Sequence, residues 1–255
     1  MNGQYRGNEL QEEIILFIVI AFFAQLIDGA LGMAYGVISN SFLLAIGISP
    51  APASAAIHTS EMFTSGVSGF SHFHFRNIDM TIFRKLVITG VIGGIIGAYL
   101  LISLPADFIK PFVAIYLLIM GISIILKAKS KHNIKKNTTK LLPLGAIGGF
   151  FDAIGGGGWG PIVTSTLISK GNNPKHSIGT TNLAEFFVTI AQVATFIATI
   201  GLVHWNMIIG LIIGGVIAAP LAAYTCGKLS NRLIMVLVGL TILFLCSRTL
   251  IKAIL

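Results

Sequence analysis

Charge is what this chain has least of. Asp, Glu, Lys and Arg together make up 10% of its 255 residues, where a soluble domain carries about 25%. So few charged side chains cannot cover a water-soluble globule, which excludes an ordinary soluble enzyme or binding domain. Cysteine is scarce as well. Cys226 and Cys246 both sit inside apolar runs without metal-ligand spacing, so neither a disulfide nor a structural metal site is expected, and both read as packing residues. No G-x-x-x-x-G-K-[ST] loop occurs, so primary pumping would need a partner that binds ATP. The leader sets Arg6 against Glu9, Glu12 and Glu13. That is the wrong sign for a signal-peptide n-region, and no small-residue cleavage site comes after it.

What fills the sequence instead is apolar. Hydrophobic residues make up 55% of the chain and the mean hydropathy is +0.88. Val87–Leu104, Pro111–Leu126, Phe186–Val203 and Met207–Cys226 are nearly free of charge. Runs of roughly 17–25 such residues are what a helix needs to cross the bilayer core. The 29 glycines fit the same class, because small residues let membrane helices approach closely. The net charge of +8 is concentrated at segment ends, above all in Lys127, Lys129, Lys131, Lys135, Lys136 and Lys140. That pattern reads as a cytoplasmic loop under the positive-inside rule, with anionic lipid headgroups as the alternative partner, and not as a nucleic-acid surface.

The chain also repeats itself. Shifted by 124 residues, Asp28 falls on Asp152, Gly32 on Gly156, Gly36 on Gly160, Pro50 on Pro174, Glu61 on Glu185 and Gly90 on Gly214. The expected organisation is a first repeat at 1–126, a basic cytoplasmic linker at 127–140 and a second repeat at 141–255. Each repeat reads as five apolar segments. They fall at about 14–30, 32–47, 52–72, 84–104 and 108–126, then at 141–154, 158–170, 175–200, 206–227 and 231–253. The fold class is thus an all-α polytopic membrane protein of two inverted-topology repeats, with eight to ten segments in total. The first two segments of each repeat are short and glycine-broken, and either span or re-enter. Inversion follows from an odd segment count and from the charges. Arg76, Arg84 and Lys85 mark one loop of the first repeat, whereas its counterpart around His204 has no Lys or Arg. The second repeat is basic at Lys170/Lys175 and Lys228/Arg232 instead. Both termini would then lie outside the cytoplasm, with Arg248 and Lys252 running against that placement.

Of nine acidic residues, Asp28, Glu61, Asp152 and Glu185 fall within apolar segments. A charged side chain at a helix centre costs roughly 2.5–3.5 kcal/mol on insertion scales, so these four should face the interior or a water-filled cavity. Ser54, His58, Glu61, Ser65, Ser68 and His72 recur at helical spacing and share one face. Asn182, Glu185, Thr189 and Gln192 form the matching stripe, with Thr199 one turn further. Such stripes serve either as a polar pathway or as a hydrogen-bonded seam. Glu61 and Glu185 are candidate proton carriers, and His58, three residues before Glu61, is placed to share the proton or meet an anion. Asp28 and Asp152, beside the glycine turns, either cap the next helix or border a substrate site. Asn40 and Thr164 are repeat partners in the second segments, and Tyr35 and Trp159 pair as walls. Helix starts at Pro50 and Pro174 would favour an anion if they dip into the membrane. His58-x-x-Glu61 also has spacing for a metal on one helix face, yet Asn182 replaces the histidine in the second repeat and no His-Glu-x-x-His occurs.

The run Gly148-Gly149-Phe150-Phe151-Asp152-Ala153-Ile154-Gly155-Gly156-Gly157-Gly158-Trp159-Gly160-Pro161 resembles the glycine-rich signature of the sulfite exporter TauE/SafE family. The stretch from Ile27 to Gly36 resembles its first-half partner. Met33-Ala34-Tyr35 stands where glycines are common in that family, and Ser39-Asn40 where a proline is common. The resemblance implies an inner-membrane transporter of a small anion, such as sulfite, an organosulfonate or a related carboxylate. Together with the buried acids it gives the expectation of proton-coupled secondary transport, without cofactor and without catalysis. A homo-oligomer is compatible with it. A channel or scaffold subunit, or an intramembrane metalloenzyme, is the competing reading.

Overall fold

In the computed structural model, residues 2–129, 139–225 and 231–254 are described. Their regular structure is helical throughout. The first half holds α1 (Asn2–Leu31), α2 (Tyr35–Ile46), α3 (Pro50–His74), α4 (Met80–Ser103) and α5 (Ala106–Lys129). The second holds α6 (Leu141–Gly155), a π-helical turn (Gly160–Thr164) running into α7 (Ser165–Ser169), α8 (Pro174–Thr199), α9 (Trp205–Thr225) and α10 (Asn231–Ile254). These elements match the ten segments of the sequence reading to within a few residues at most ends. The exception is α1, which begins well before the expected segment. Most of the basic linker lies outside the described residues, as do Cys226 and Lys228.

Helix ends obey local chemistry. Asp79 caps α4, accepting N–H bonds from Thr81 at 2.8 Å and Ile82 at 3.1 Å. Asn173 caps α8 ahead of Pro174. The first glycine past α2, Gly47, is left-handed with φ 103°, a conformation that glycine adopts without penalty.

The outer surface is strongly apolar, and the interior combines an apolar core with buried polar side chains. On α4, Ile88, Ile92 and Ile96 are exposed, while Gly90, Gly93, Gly94 and Gly97 are buried. On α5, Phe108, Phe112, Ile115, Ile119, Ile122 and Leu126 form an exposed stripe at helical spacing. Leu233, Leu237, Leu240 and Phe244 do the same on α10. Large apolar side chains facing outward on several helices are what a lipid solvent selects. Among the described residues three helices are long and apolar enough to cross a membrane: Met80–Ser103, Ala106–Ala128 and His176–Thr199. Shorter apolar helices, among them Tyr35–Ile46 and Leu141–Gly155, accompany them.

Packing pairs the halves. Helix α4 lies on α6 and α8, and α9 lies on α1 and α3. Helix α3 packs on α8, and α5 on α10. Each pairing has its counterpart 124 residues along, or is its own counterpart. The α4–α6 contact is backbone to backbone: a Cβ on Gly93 would strike the carbonyl of Ala146, and one on Gly149 the carbonyl of Gly90. At the centre the two glycine breaks meet, with Gly36 at the start of α2 against Gly156 and Gly157 past the end of α6.

Candidate functional site

The polar stripe of α3 faces inward, as its spacing predicts. Ser54, His58, Glu61 and Ser65 are buried, Ser68 and His72 half-buried. The stripe of α8 also faces inward through Asn182, Glu185, Thr189 and Gln192. Its last member does not. Thr199 is exposed, and the next inward position after Gln192 is Thr195. In the last turn of α8 Phe196 stays fully buried, while Ile197, Ala198 and Thr199 are exposed.

The two stripes meet where the glycine breaks cross. Asn182 Nδ2 donates to Ser68 Oγ at 2.7 Å, joining α8 to α3. The aspartates sit at the ends of the first helices of each half and satisfy N–H groups at the start of the next segment. Asp28 Oδ1 accepts from Tyr35 N–H at 3.2 Å. Asp152 Oδ1 accepts from Gly158 N–H at 2.7 Å and Trp159 N–H at 2.9 Å. The capping alternative is therefore realised in both halves, although each carboxylate reaches forward from the preceding helix.

Asp152 is also the hub of a buried network. Gln192 Nε2 donates to its Oδ2 at 3.1 Å. The ring of His58, fully buried, has Nδ1 at 2.9 Å from Glu61 Oε2 and 3.8 Å from Asp152 Oδ2, with Nε2 at 3.2 Å from the Asp152 carbonyl. Phe196 stacks beside that ring at 6.3 Å between centroids. One ligand atom from each of His58, Glu61 and Asp152 lies within 4.8 Å of the others, a spacing that a metal ion could use. Hydrogen bonds already engage all three side chains, with the second Asp152 oxygen and both ring nitrogens taken up in them.

A small cavity of about 20 Å³ opens at this crossing. The carboxyls of Asp28, Glu61, Asp152 and Glu185 border it, with Tyr35, Trp159 and Asn182. Seven of the ten residues singled out from sequence thus share one cavity. His58 stands behind Glu61 and contributes no lining. Asn40 and Thr164 also lie outside it. Asn40 donates through Nδ2 to the carbonyl of Gly155, and Thr164 donates to Thr181 Oγ1 at 2.8 Å. Both fasten helix ends. Tyr35 OH lies 2.6 Å from Ser60 Oγ and donates to the Leu211 carbonyl at 3.2 Å, while Trp159 Nε1 donates to the Thr181 carbonyl at 3.0 Å. The two walls are pinned by their polar ends.

Three participants escaped the sequence reading of the site. Gln25, one turn before Asp28, and Thr64, one turn after Glu61, both line the cavity. Their spacing from the acids was the available signal. Lys127 Nζ donates to the Pro161 carbonyl at 2.8 Å and to Ser165 Oγ at 2.6 Å, closing the wide π turn. Nothing in its basic run distinguished it from its neighbours.

Residues 17–249 match the family described as sulfite exporter TauE/SafE. The chain belongs to the TauE/SafE family. It is thereby a multi-pass membrane transporter protein by family, in agreement with its outward apolar stripes. It is 43% identical over 251 residues to the probable membrane transporter protein YtnM of Bacillus subtilis, covering 94% of this chain and 84% of that one. A second Bacillus subtilis protein, the probable membrane transporter protein YjnA, is 21% identical over 237 residues, covering 86% of this chain and 92% of its own. No solved structure matches this TauE/SafE chain significantly.

Proposed function

We propose that this chain is a proton-coupled secondary transporter that carries a small anion, such as sulfite, an organosulfonate or a related carboxylate, across the inner membrane. The observation that carries the reading is a cavity between the halves, bordered by a repeat-related pair of aspartates and a repeat-related pair of glutamates. Ionisable groups buried among membrane-spanning helices mark ion and proton pathways in membrane proteins. In this reading Glu61 and Glu185 carry the proton, with His58 sharing it from behind Glu61. Tyr35 and Trp159 wall the site, and Asn182, Asp28 and Asp152 border the substrate.

The organisation belongs to the same proposal. The halves 1–126 and 141–255 act as inverted repeats, joined by a cytoplasmic linker at 127–140, with the glycine-broken segments meeting at the site. The exchange of packing partners between the halves supports this. The cavity supports a moving mechanism too. A volume of about 20 Å³ admits roughly one water, so an anion of several heavy atoms needs the helices to part. Movement of one repeat-built bundle against the other would open the cavity to each side in turn.

The test is uptake of radiolabelled sulfite, sulfonates and carboxylates into proteoliposomes under a pH gradient of either sign. Saturable, gradient-dependent flux is expected, and Glu61→Gln and Glu185→Gln should remove the gradient dependence. Full proton-driven uptake in both variants would sink the coupling role of these residues.

A further inference from the structure

The question left by that reading, on which the present inference rests, is whether anion and proton cross together or in exchange. Four carboxyl groups border the cavity and, among the described residues, no lysine or arginine does. Three of the helix-start amides at the cavity, those of Tyr35, Gly158 and Trp159, are already committed to Asp28 and Asp152. The hydroxyl and amide side chains of the lining, Gln25, Thr64, Ser65 and Asn182 among them, are neutral, and the Thr64 and Ser65 hydroxyls already donate to the Glu61 carbonyl. Neutral donors do not offset the repulsion of several carboxylates at low dielectric.

The other titratable groups do not change the sign. His58 faces Glu61 and Asp152 together, so even a charged imidazole leaves the cluster negative. Tyr35 from α2 is held by Ser60 and a carbonyl of α9. Tyr116 from α5 lies against Gly158 and stacks on Phe151. The Lys127 ammonium is spent on the π turn.

We infer that the anion occupies this cavity only with at least one proton held on its carboxyl groups, so that transport is anion–proton co-transport and not exchange. Binding of each then favours the other, as linkage requires. The experiment uses the full chain in vesicles loaded with a pH dye. Valinomycin and equal potassium on both sides hold the voltage at zero. An inward gradient of methanesulfonate is imposed, an anion that stays ionised, so that any proton moved was carried by the protein. The lumen should acidify. Initial flux should rise by up to about tenfold per unit fall in external pH while one proton is being taken up. Glu185→Gln should lower the ratio of protons to anions and flatten the pH dependence.

An alkaline lumen, or anion flux without a pH change, would overturn co-transport and leave anion transport standing. So would an unchanged proton-to-anion ratio in both Glu61→Gln and Glu185→Gln. Faster flux of 2-aminoethanesulfonate with no proton moved would also overturn it, since the substrate's own ammonium would then bring the positive charge. No flux of methanesulfonate, sulfite or sulfoacetate at any pH would overturn the anion reading itself.

Discussion

The carboxylate of Asp152, fully buried, accepts two backbone N–H groups on one oxygen and a glutamine amide on the other. Removing it orphans the two buried backbone donors, each costing about 1–3 kcal/mol, while the Gln192 amide keeps the Gly149 carbonyl. Asp152→Ala is therefore expected to lower stability by roughly 2–6 kcal/mol, read as a fall in the thermal unfolding midpoint of the detergent-purified protein. Asp152→Asn keeps an acceptor oxygen and should lose less than half as much. Equal midpoints for the parent and the alanine variant would mean that the Gly158 and Trp159 amides find other acceptors. A lone contact between helices is worth less. The Asn182–Ser68 bond spans α8 and α3 at 2.7 Å, and such bonds average about 0.6 kcal/mol in double-mutant cycles. A cycle of Asn182→Ala and Ser68→Ala should return a coupling of that size, small enough to show that the seam is adhesive and not the basis of the fold.

Between elements, the glycines set how closely helices lie. On Gly149 a Cβ would meet the carbonyl of Gly90, and on Gly97 the carbonyl of Phe150. Backbone cannot yield as a side chain tip does, so Gly149→Ala should force α4 and α6 apart. A sharp loss of monodisperse protein on size exclusion is the expected outcome. Gly47 has open space around it and differs only in its positive φ of 103°. Gly47→Ala should cost about 1–2 kcal/mol and leave the profile intact. If both behave alike, close approach is not what the α4–α6 glycines are for. The same scale shows what the sequence could disclose. Apolar runs and the 124-residue repeat marked the helices because lipid demands continuous apolar length. Helical spacing gave one inward face of α3 because Ser54, His58, Glu61 and Ser65 share a buried side, but it missed Thr59 and Ser60, which are buried on other sides. Spacing could not show that Thr199 is exposed. Repeat partnership could not separate cavity from fastening either: Asn40 and Thr164 are symmetric partners, yet each bonds a neighbouring helix. Which side of a symmetric pair faces empty space depends on how the glycine breaks cross, and that is a property of packing between residues over 100 positions apart.

At the scale of the whole molecule, the packing pattern and the charges bear on one question, the direction in which each half threads the membrane. Helices α4 and α6 pair as α9 and α1 do, which is how two related halves interlock about a shared axis. The basic residues then differ between equivalent loops. Arg76, Arg84 and Lys85 surround the α3–α4 connection, while the equivalent α8–α9 connection, through His204, has none. If the halves are inverted, those two connections lie on opposite sides of the membrane, and the positive-inside rule explains why only one is basic. The measurement is labelling of single cysteines by a membrane-impermeant thiol reagent, after Cys226→Ser and Cys246→Ser. His204→Cys and Asp107→Cys should react in intact cells. Arg76→Cys and Asn172→Cys should react only once the membrane is opened. Labelling of Arg76→Cys and His204→Cys from the same side would mean that the halves run parallel, and the pairing of helices would then need a different symmetry to account for it.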